Sequence, residues 1–278
     1  MAILAFLGPH GTHSEEAAAY INDFCKQDWS LQPYRGIHEA IYAVHNGDAD
    51  YCFVPIENSI EGSVRITLDT LMDDIDLKIN MELIWQVHNQ LLLKKGTTAI
   101  KKIISHPQAL AQCRKYIQKN YSQAEIIEVV STAHAAKMVA DGLPDAAAIA
   151  SKRSGQIYNL QTADAEIQDI SDNVTRFILL GKKQEILHKE KPVKTLLICQ
   201  IDGSKAGSLC GVLNDFANSD INMTRIESRP ARTGLGNYVF FIEIETANVS
   251  EEQLRKTLQI VQEKCLWLKN MGYFPIIK

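Results

Sequence analysis

The chain has 278 residues, more than one compact core usually organises, so two domains are expected. Hydrophobic residues make up 46% and charged residues 22%, the balance of an ordinary globular protein. A formal net charge of -4 leaves no basic footprint for nucleic acid or for an anionic membrane surface.

In chain order, AILAFLG (2–8) is a short apolar run, followed by a helical pattern over 14–25. SLQPYR leads into a predicted helix 37–46, and ADYCFVPIE (49–57) reads as a strand followed by helix 63–73. Residues 77–93 alternate over a long stretch and are expected to cross between two lobes. KKIISHP (101–107) reads as a strand, with a helix over 107–119. EIIEVV, helix 132–141, AAAIAS and strand 174–180 complete the region. Strands alternating with helices predict an α/β fold with largely parallel sheets.

The stretch 182–193, KKQEILHKEKPV, is charged, ends in proline and is the expected domain boundary. Beyond it the order changes to strand 194–201, helix 207–218, strand 221–230, strand 236–245, helix 251–263 and strand 266–275. That is β-α-β-β-α-β, the ferredoxin-like split unit. The turn ARTGLGN joins its central strands, and Ser250 with Gln253 predicts a capping box on the last helix.

The six cysteines are scattered, without a C-x-x-C pair, and sit in apolar runs. They point to a reducing cytoplasm rather than to disulfides or zinc. The opening MAILAFLGPH lacks a basic leader and is too short an apolar run for a signal peptide.

Four polar clusters fall at strand ends of the α/β region, where open sheets bind ligands. In Gly8-Pro9-His10-Gly11-Thr12-His13-Ser14, the exposed N–H groups of a helix start attract anions, while a Thr12/Glu15 capping box explains the same residues without a ligand. In Glu57-Asn58-Ser59 a carboxylate can handle protons and an amide can donate, or Asn58 or Ser59 simply caps the next helix. In Ser105-His106-Pro107-Gln108, His106 is either a carboxylate ligand or a cap. In SDNVTRFILLG (171–181), Arg176 offers a bidentate fork beside the Thr175 hydroxyl; an ion pair with Asp172 or Glu57 accounts for it equally well.

Taken in order, FLGPHGTHSEEAA, VPIENSIEGSV, SHPQAL and SDNVTRFILLG resemble the successive motifs of the prephenate dehydratase family, and GSLCGVLNDFANSDINMTRIESRP resembles the family's ACT regulatory module. The resemblance implies a lyase that converts prephenate to phenylpyruvate, CO2 and water on the route to phenylalanine. It implies a two-lobed, periplasmic-binding-protein-like catalytic domain over 1–181, a linker over 182–193 and an ACT domain over 194–278. The chain opens directly on the first motif, so no fused chorismate mutase domain is expected. The threonine of the T-R-F motif, Thr175, is implied to be catalytic, with Arg176 and Glu57 beside it. Gly11, Thr12, Ser14, Asn58, Ser59, Ser105, His106, Gln108 and Phe177 are implied to hold substrate. Phenylalanine is implied as effector at an interface of paired ACT domains, against Gly207, Ser208, Leu209, Asn222, Glu227 and Ser228. A dimer or dimer of dimers, up to a homotetramer, is expected, with no metal or organic cofactor. An arogenate dehydratase and a non-catalytic anion and amino-acid sensor are the alternatives.

Overall fold

The computed structural model describes every residue except Leu235, which falls within the expected ARTGLGN turn. The chain begins β1 (Ile3–Leu7), α1 (His13–Phe24), β2 (Ser30–Tyr34), α2 (Ile37–Asn46), β3 (Tyr51–Asn58), β4 (Gly62–Ser63), α3 (Arg65–Leu71), β5 (Lys78–Gln86) and β6 (Gln90–Leu93). It continues with β7 (Lys102–Ser105), α4 (Pro107–Gln112), α5 (Arg114–Asn120), β8 (Glu125–Glu128), α6 (Thr132–Ala140), β9 (Ala146–Ala150), α7 (Lys152–Ile157), β10 (Gln161–Asp164) and β11 (Val174–Gly181). The last elements are β12 (Lys194–Ile201), α8 (Ser208–Asn218), β13 (Met223–Pro230), β14 (Tyr238–Glu245), α9 (Glu251–Glu263), β15 (Cys265–Phe274) and β16 (Ile276–Ile277).

Two compact units result: residues 1–64 with 84–177, and residues 65–83 with 178–278. The first unit contains two sheet layers. In one, β1 pairs in parallel with β2 and β3, and the opening of β11 lies beside β3. The other has the order β10-β6-β9-β7-β8, with β7 parallel to β8 and β9 but β6 antiparallel to β9 and β10. The sheets are therefore mixed, where largely parallel ones were expected. Strand β9, AAAIA, is buried throughout because both its faces are covered. Ala147 and Ile149 pack with Leu110, Cys113 and Ile117. Ala146, Ala148 and Ala150 pack with Ala135, Ala136 and Val139 of α6.

The helix expected over 107–119 is two helices broken at Cys113. The carboxylate of Asp169 accepts from the backbone N–H of Lys115 and Tyr116, at 2.9 and 3.3 Å, and so starts a new helix. The long alternating stretch 77–93 likewise divides into β5 and β6.

In the second unit β12, β13, β14 and β15 form an antiparallel sheet of order β13-β14-β12-β15. Leu197, Cys199 and Ile242 on one sheet face bury against Val212 and Phe216 of α8 and Leu254 and Val261 of α9. Residues 65–83 belong to this unit, although the expected boundary at 182–193 separates them from it. Side-chain chemistry explains the grouping. Arg229 donates to both oxygens of Asp69 on α3, at 2.9 and 3.0 Å. The Lys269 ammonium donates to the carbonyl of Leu71 at the end of α3 and to those of Asp73 and Ile75 in the segment that follows it. Lys194, nearly buried, stands 3.3 Å from Glu82 and 3.1 Å from Glu243, and Glu243 also meets Arg225.

Candidate active site

A cavity of about 580 Å3 opens in the first unit. Its wall comes from residues in or just beyond the C-terminal halves of β1 and β3 and after β2, β7 and β8, together with Val87, Asn89 and the opening of β11. That is where α/β sheets place ligands, because the helix starts there present unpaired N–H groups.

The wall includes the hydroxyl of Thr175, at the opening of β11. Asn58 Nδ2 donates to Thr175 Oγ1 at 2.9 Å, to Asn173 Oδ1 at 3.0 Å and to the Val174 carbonyl at 3.3 Å. Asn58 Oδ1 accepts from the N–H groups of Ile60 and Glu61, which fixes the orientation of the amide. Thr175 therefore accepts from Asn58, and its own proton is available for a ligand oxygen. Ser59 Oγ accepts from Val174 N–H and donates to the Asp172 carbonyl, pinning the turn that enters β11. Neither Asn58 nor Ser59 caps α3; both hold the threonine strand.

Alternation along β11 separates the three residues of the T-R-F motif. Thr175 and Phe177 line the cavity, and Arg176 does not. Arg176 donates to Glu57 of β3 at 2.5 Å, with both side chains part-buried, and Glu57 is likewise absent from the wall. The ion-pair account of Arg176 is the one the geometry realises. Phe177 stacks on Phe53 at 5.1 Å between ring centroids, which sets the aromatic floor.

The expected ligand groups divide in the same way. Thr12, Ser14, Asn58, His106 and Gln108 line the cavity; Gly11, Ser59 and Ser105 do not. Thr12 caps α1 by accepting from Glu15 N–H, but the Glu15 carboxylate reaches past it to Gly11 N–H, His10 and Arg153. Gly11 has a φ of +90°, and a Cβ there would lie 2.8 Å from Ser154 Oγ. Its carbonyl accepts from Ser151 and Ser154, so it joins the loop after β1 to α7. Ser105 is fully buried and donates to the Ile149 carbonyl. His106 Nδ1 accepts from Gln108 N–H, so its neutral ring carries its proton on Nε2.

Sequence reasoning passed over Arg35, Asn89, Gln112, Ser131, Thr132 and His134, all in the wall, and gave no separate role to His13 and Asn173, which line it from within the first and fourth clusters. Ser131 is the N-cap of α6, a helix that the hydrophobic period had placed, so this start was the one available signal. The wall includes one guanidinium, three imidazoles and, among the described residues, no aspartate or glutamate. Burial, with Asp169 nearby, pushes the Cys113 thiol up to about 12, so this sulfur is no nucleophile at neutral pH. No cluster of metal-ligating side chains occurs among the described residues, and no helix there is long and apolar enough to cross a membrane.

In the second unit Gly207, Ser208 and Leu209 line a hollow of about 220 Å3 with Tyr238 and Phe240. Asn222, Glu227 and Ser228 lie outside it. Asn222 donates to Glu245, Glu227 accepts from Arg225, and Ser228 is exposed on β13.

Fold and cavity define a class: a two-lobed α/β protein whose cleft suits a small, oxygen-rich anion. The family model for prephenate dehydratase matches residues 4–185, and the chain belongs to that family. It is 39% identical to a prephenate dehydratase of Methanocaldococcus jannaschii, over 96% of each chain. Its structure matches that of a prephenate dehydratase from Arthrobacter aurescens in complex with L-Phe, with a TM-score of 0.87, 30% identity and coverage of 98% and 89% of the two chains. It also matches GqqA, described as a novel type of quorum quenching acylase, with a TM-score of 0.84, 26% identity and coverage of 99% and 98%.

Proposed function

We propose that the cavity converts prephenate to phenylpyruvate, CO2 and water, with Thr175 addressing the departing hydroxyl. The chain is an enzyme with the activity of its family, a prephenate dehydratase. In the reaction the electrons of the bond to the ring carboxylate enter the ring, CO2 departs, and the C–O bond to the opposite hydroxyl breaks as the ring becomes aromatic. Charge therefore develops on the leaving oxygen, where a placed hydrogen bond acts most strongly.

One observation carries the role of Thr175: its oxygen is occupied as an acceptor by Asn58, so its proton points to whatever fills the cavity. An alcohol is too weak an acid to supply the proton alone. Glu57, paired with Arg176 outside the wall, is not placed to do so, and the imidazoles of His13, His106 and His134 are the titratable groups that line the cavity beside Arg35. The backbone N–H groups of His13 and Ser14 at the start of α1, and of Thr132 and Ala133 at the start of α6, precede any intrahelical acceptor and suit the carboxylates. An acylase needs an activated nucleophile, and among the described residues no serine or threonine hydroxyl of the wall is hydrogen-bonded to an imidazole or carboxylate, so the dehydratase reading is favoured.

The domain assignment of 1–181 as catalytic, 182–193 as linker and 194–278 as an ACT module belongs to the same proposal. The β-α-β-β-α-β order and its antiparallel sheet support a ferredoxin-like ACT module. Phenylalanine is the proposed effector, supported by the L-Phe complex of the Arthrobacter aurescens relative. The effector site is composite: Gly207, Ser208 and Leu209 of one copy with Asn222, Glu227 and Ser228 of another. Strand β13 is an edge strand with Ile226 exposed, which supports pairing into a dimer or dimer of dimers. Six free cysteines suit a cytoplasmic enzyme.

The test is phenylpyruvate formation from prephenate by the wild type, Thr175→Val and Thr175→Ser. The valine variant keeps the shape and loses the hydroxyl, and its kcat falls by about 10² to 10³ with a smaller change in KM. The serine variant stays within about tenfold of the wild type. A valine variant with undiminished kcat removes Thr175 from the chemistry, and a wild type that makes no phenylpyruvate removes the reading altogether.

A further inference from the structure

We infer that Arg35 holds the side-chain carboxylate of the substrate and makes the enzyme select the 2-keto acid over its 2-amino analogue, a step that rests on the dehydratase reading above. Arg35 follows the C-terminal end of β2 and lines the cavity. It makes no hydrogen bond or ion pair with any described residue, unlike Arg176 and unlike Arg153, which pairs with Glu15. It is thus the one permanent cation of the wall among the described residues, facing the cavity with its fork unused.

The reaction decides which carboxylate it takes. The ring carboxylate surrenders its charge as CO2 forms, so a cation fixed on it stabilises the ground state more than the transition state. The carboxylate of the pyruvyl side chain keeps its charge from substrate to product, so a cation there adds affinity without slowing the chemistry.

Topology agrees. The pyruvyl group and the hydroxyl sit at opposite ends of the ring. The sheet order places β2 three strand steps from β11, with β1 and β3 between them. At about 4.8 Å per step, β2, which Arg35 follows, and β11, which bears Thr175, are roughly 14 Å apart. The long axis of the substrate together with an extended arginine side chain fits that gap.

The same fork can reach the keto oxygen next to the carboxylate. In arogenate that position bears an ammonium group, which Arg35 repels. No aspartate or glutamate in the described wall offers it a counter-charge.

The experiment compares wild type, Arg35→Gln and Arg35→Lys for turnover of prephenate and of arogenate, and for inhibition by phenylpyruvate, which keeps the same side chain. Arg35→Gln is expected to raise KM for prephenate and Ki for phenylpyruvate by about 10- to 100-fold, with kcat within about threefold, as loss of one charged hydrogen-bonded contact dictates. The preference for prephenate over arogenate falls by a similar factor, and Arg35→Lys recovers part of the affinity. Unchanged KM and Ki in a folded Arg35→Gln variant overturn the inference, as does a loss confined to kcat. A wild type that binds phenylpyruvate through Arg35 but does not turn over prephenate defeats the dehydratase reading instead and leaves the arginine site standing.

Discussion

Replacing Asn58 with aspartate changes one atom and reverses the hydrogen bond that orients Thr175. In the native arrangement Asn58 Nδ2 faces three acceptors: Thr175 Oγ1, Asn173 Oδ1 and the Val174 carbonyl. A carboxylate cannot donate to any of them. Thr175 then satisfies the new acceptor by turning its proton toward it and away from the substrate. The loss is that of one transition-state donor, about 10² to 10³ in kcat, or roughly 3 to 4 kcal/mol. Asn173, buried to 1% exposure, also loses a partner for Oδ1. It cannot rotate its amide without breaking the bond from its Nδ2 to Gln112 Oε1. That adds about 1 to 3 kcal/mol of destabilisation, measurable by denaturant unfolding.

Steady-state phenylpyruvate formation reads the first effect, and a double mutant isolates its cause. If Asn58 acts only through the threonine hydroxyl, Asn58→Asp and Thr175→Val together are hardly worse than Thr175→Val alone. Fully additive losses in the double mutant refute the orientation argument. So does an Asn58→Asp enzyme whose kcat stays within about threefold of the wild type.

Two further outcomes concern the second unit. Glu227→Ala is expected to abolish the response of turnover to phenylalanine while sparing basal activity, since Arg225 keeps Glu243 as a partner; assays with and without phenylalanine check it, and a fully responsive variant refutes the proposed effector shell. Lys194→Met removes the ammonium that the buried carboxylates of Glu82 and Glu243 share, which is expected to cost about 3 to 5 kcal/mol. Denaturant unfolding measures that cost, and a change below about 1 kcal/mol would show that Lys194 is not the necessary counter-charge.

Periodic elements were legible in the sequence because local burial writes them there. Helix α2 spans the 37–46 expected from its apolar stripe, and β12 spans the expected 194–201. What failed depended on partners far along the chain. The break between α4 and α5 is made by Asp169, 54 residues beyond Lys115. Strand β10, QTAD, is exposed throughout and has no apolar period; it exists through its pairing with β6. Segment 65–83 groups with the C-terminal sequence through Arg229, Lys194 and Lys269, none of which is near it in the chain.

The site was legible as four strand-end clusters, but the direction of each side chain was not. Thr175, Arg176 and Phe177 are consecutive, so whichever face of β11 meets the cavity takes the first and third and excludes the second. Parity is set by pairing with β3, where Glu57 stands ready on the opposite face to take the guanidinium. The arginine is therefore a strand-to-strand tie, and the positive charge that a dianionic substrate needs must come from another strand end. Arg35 lies in a segment read only as the approach to a helix, because a lone arginine after a short polar strand carries no motif. Its place in the cavity wall without a carboxylate partner among the described residues, visible only in three dimensions, distinguishes it from Arg153 and Arg176, which are paired, and from Arg114, which lies outside the wall.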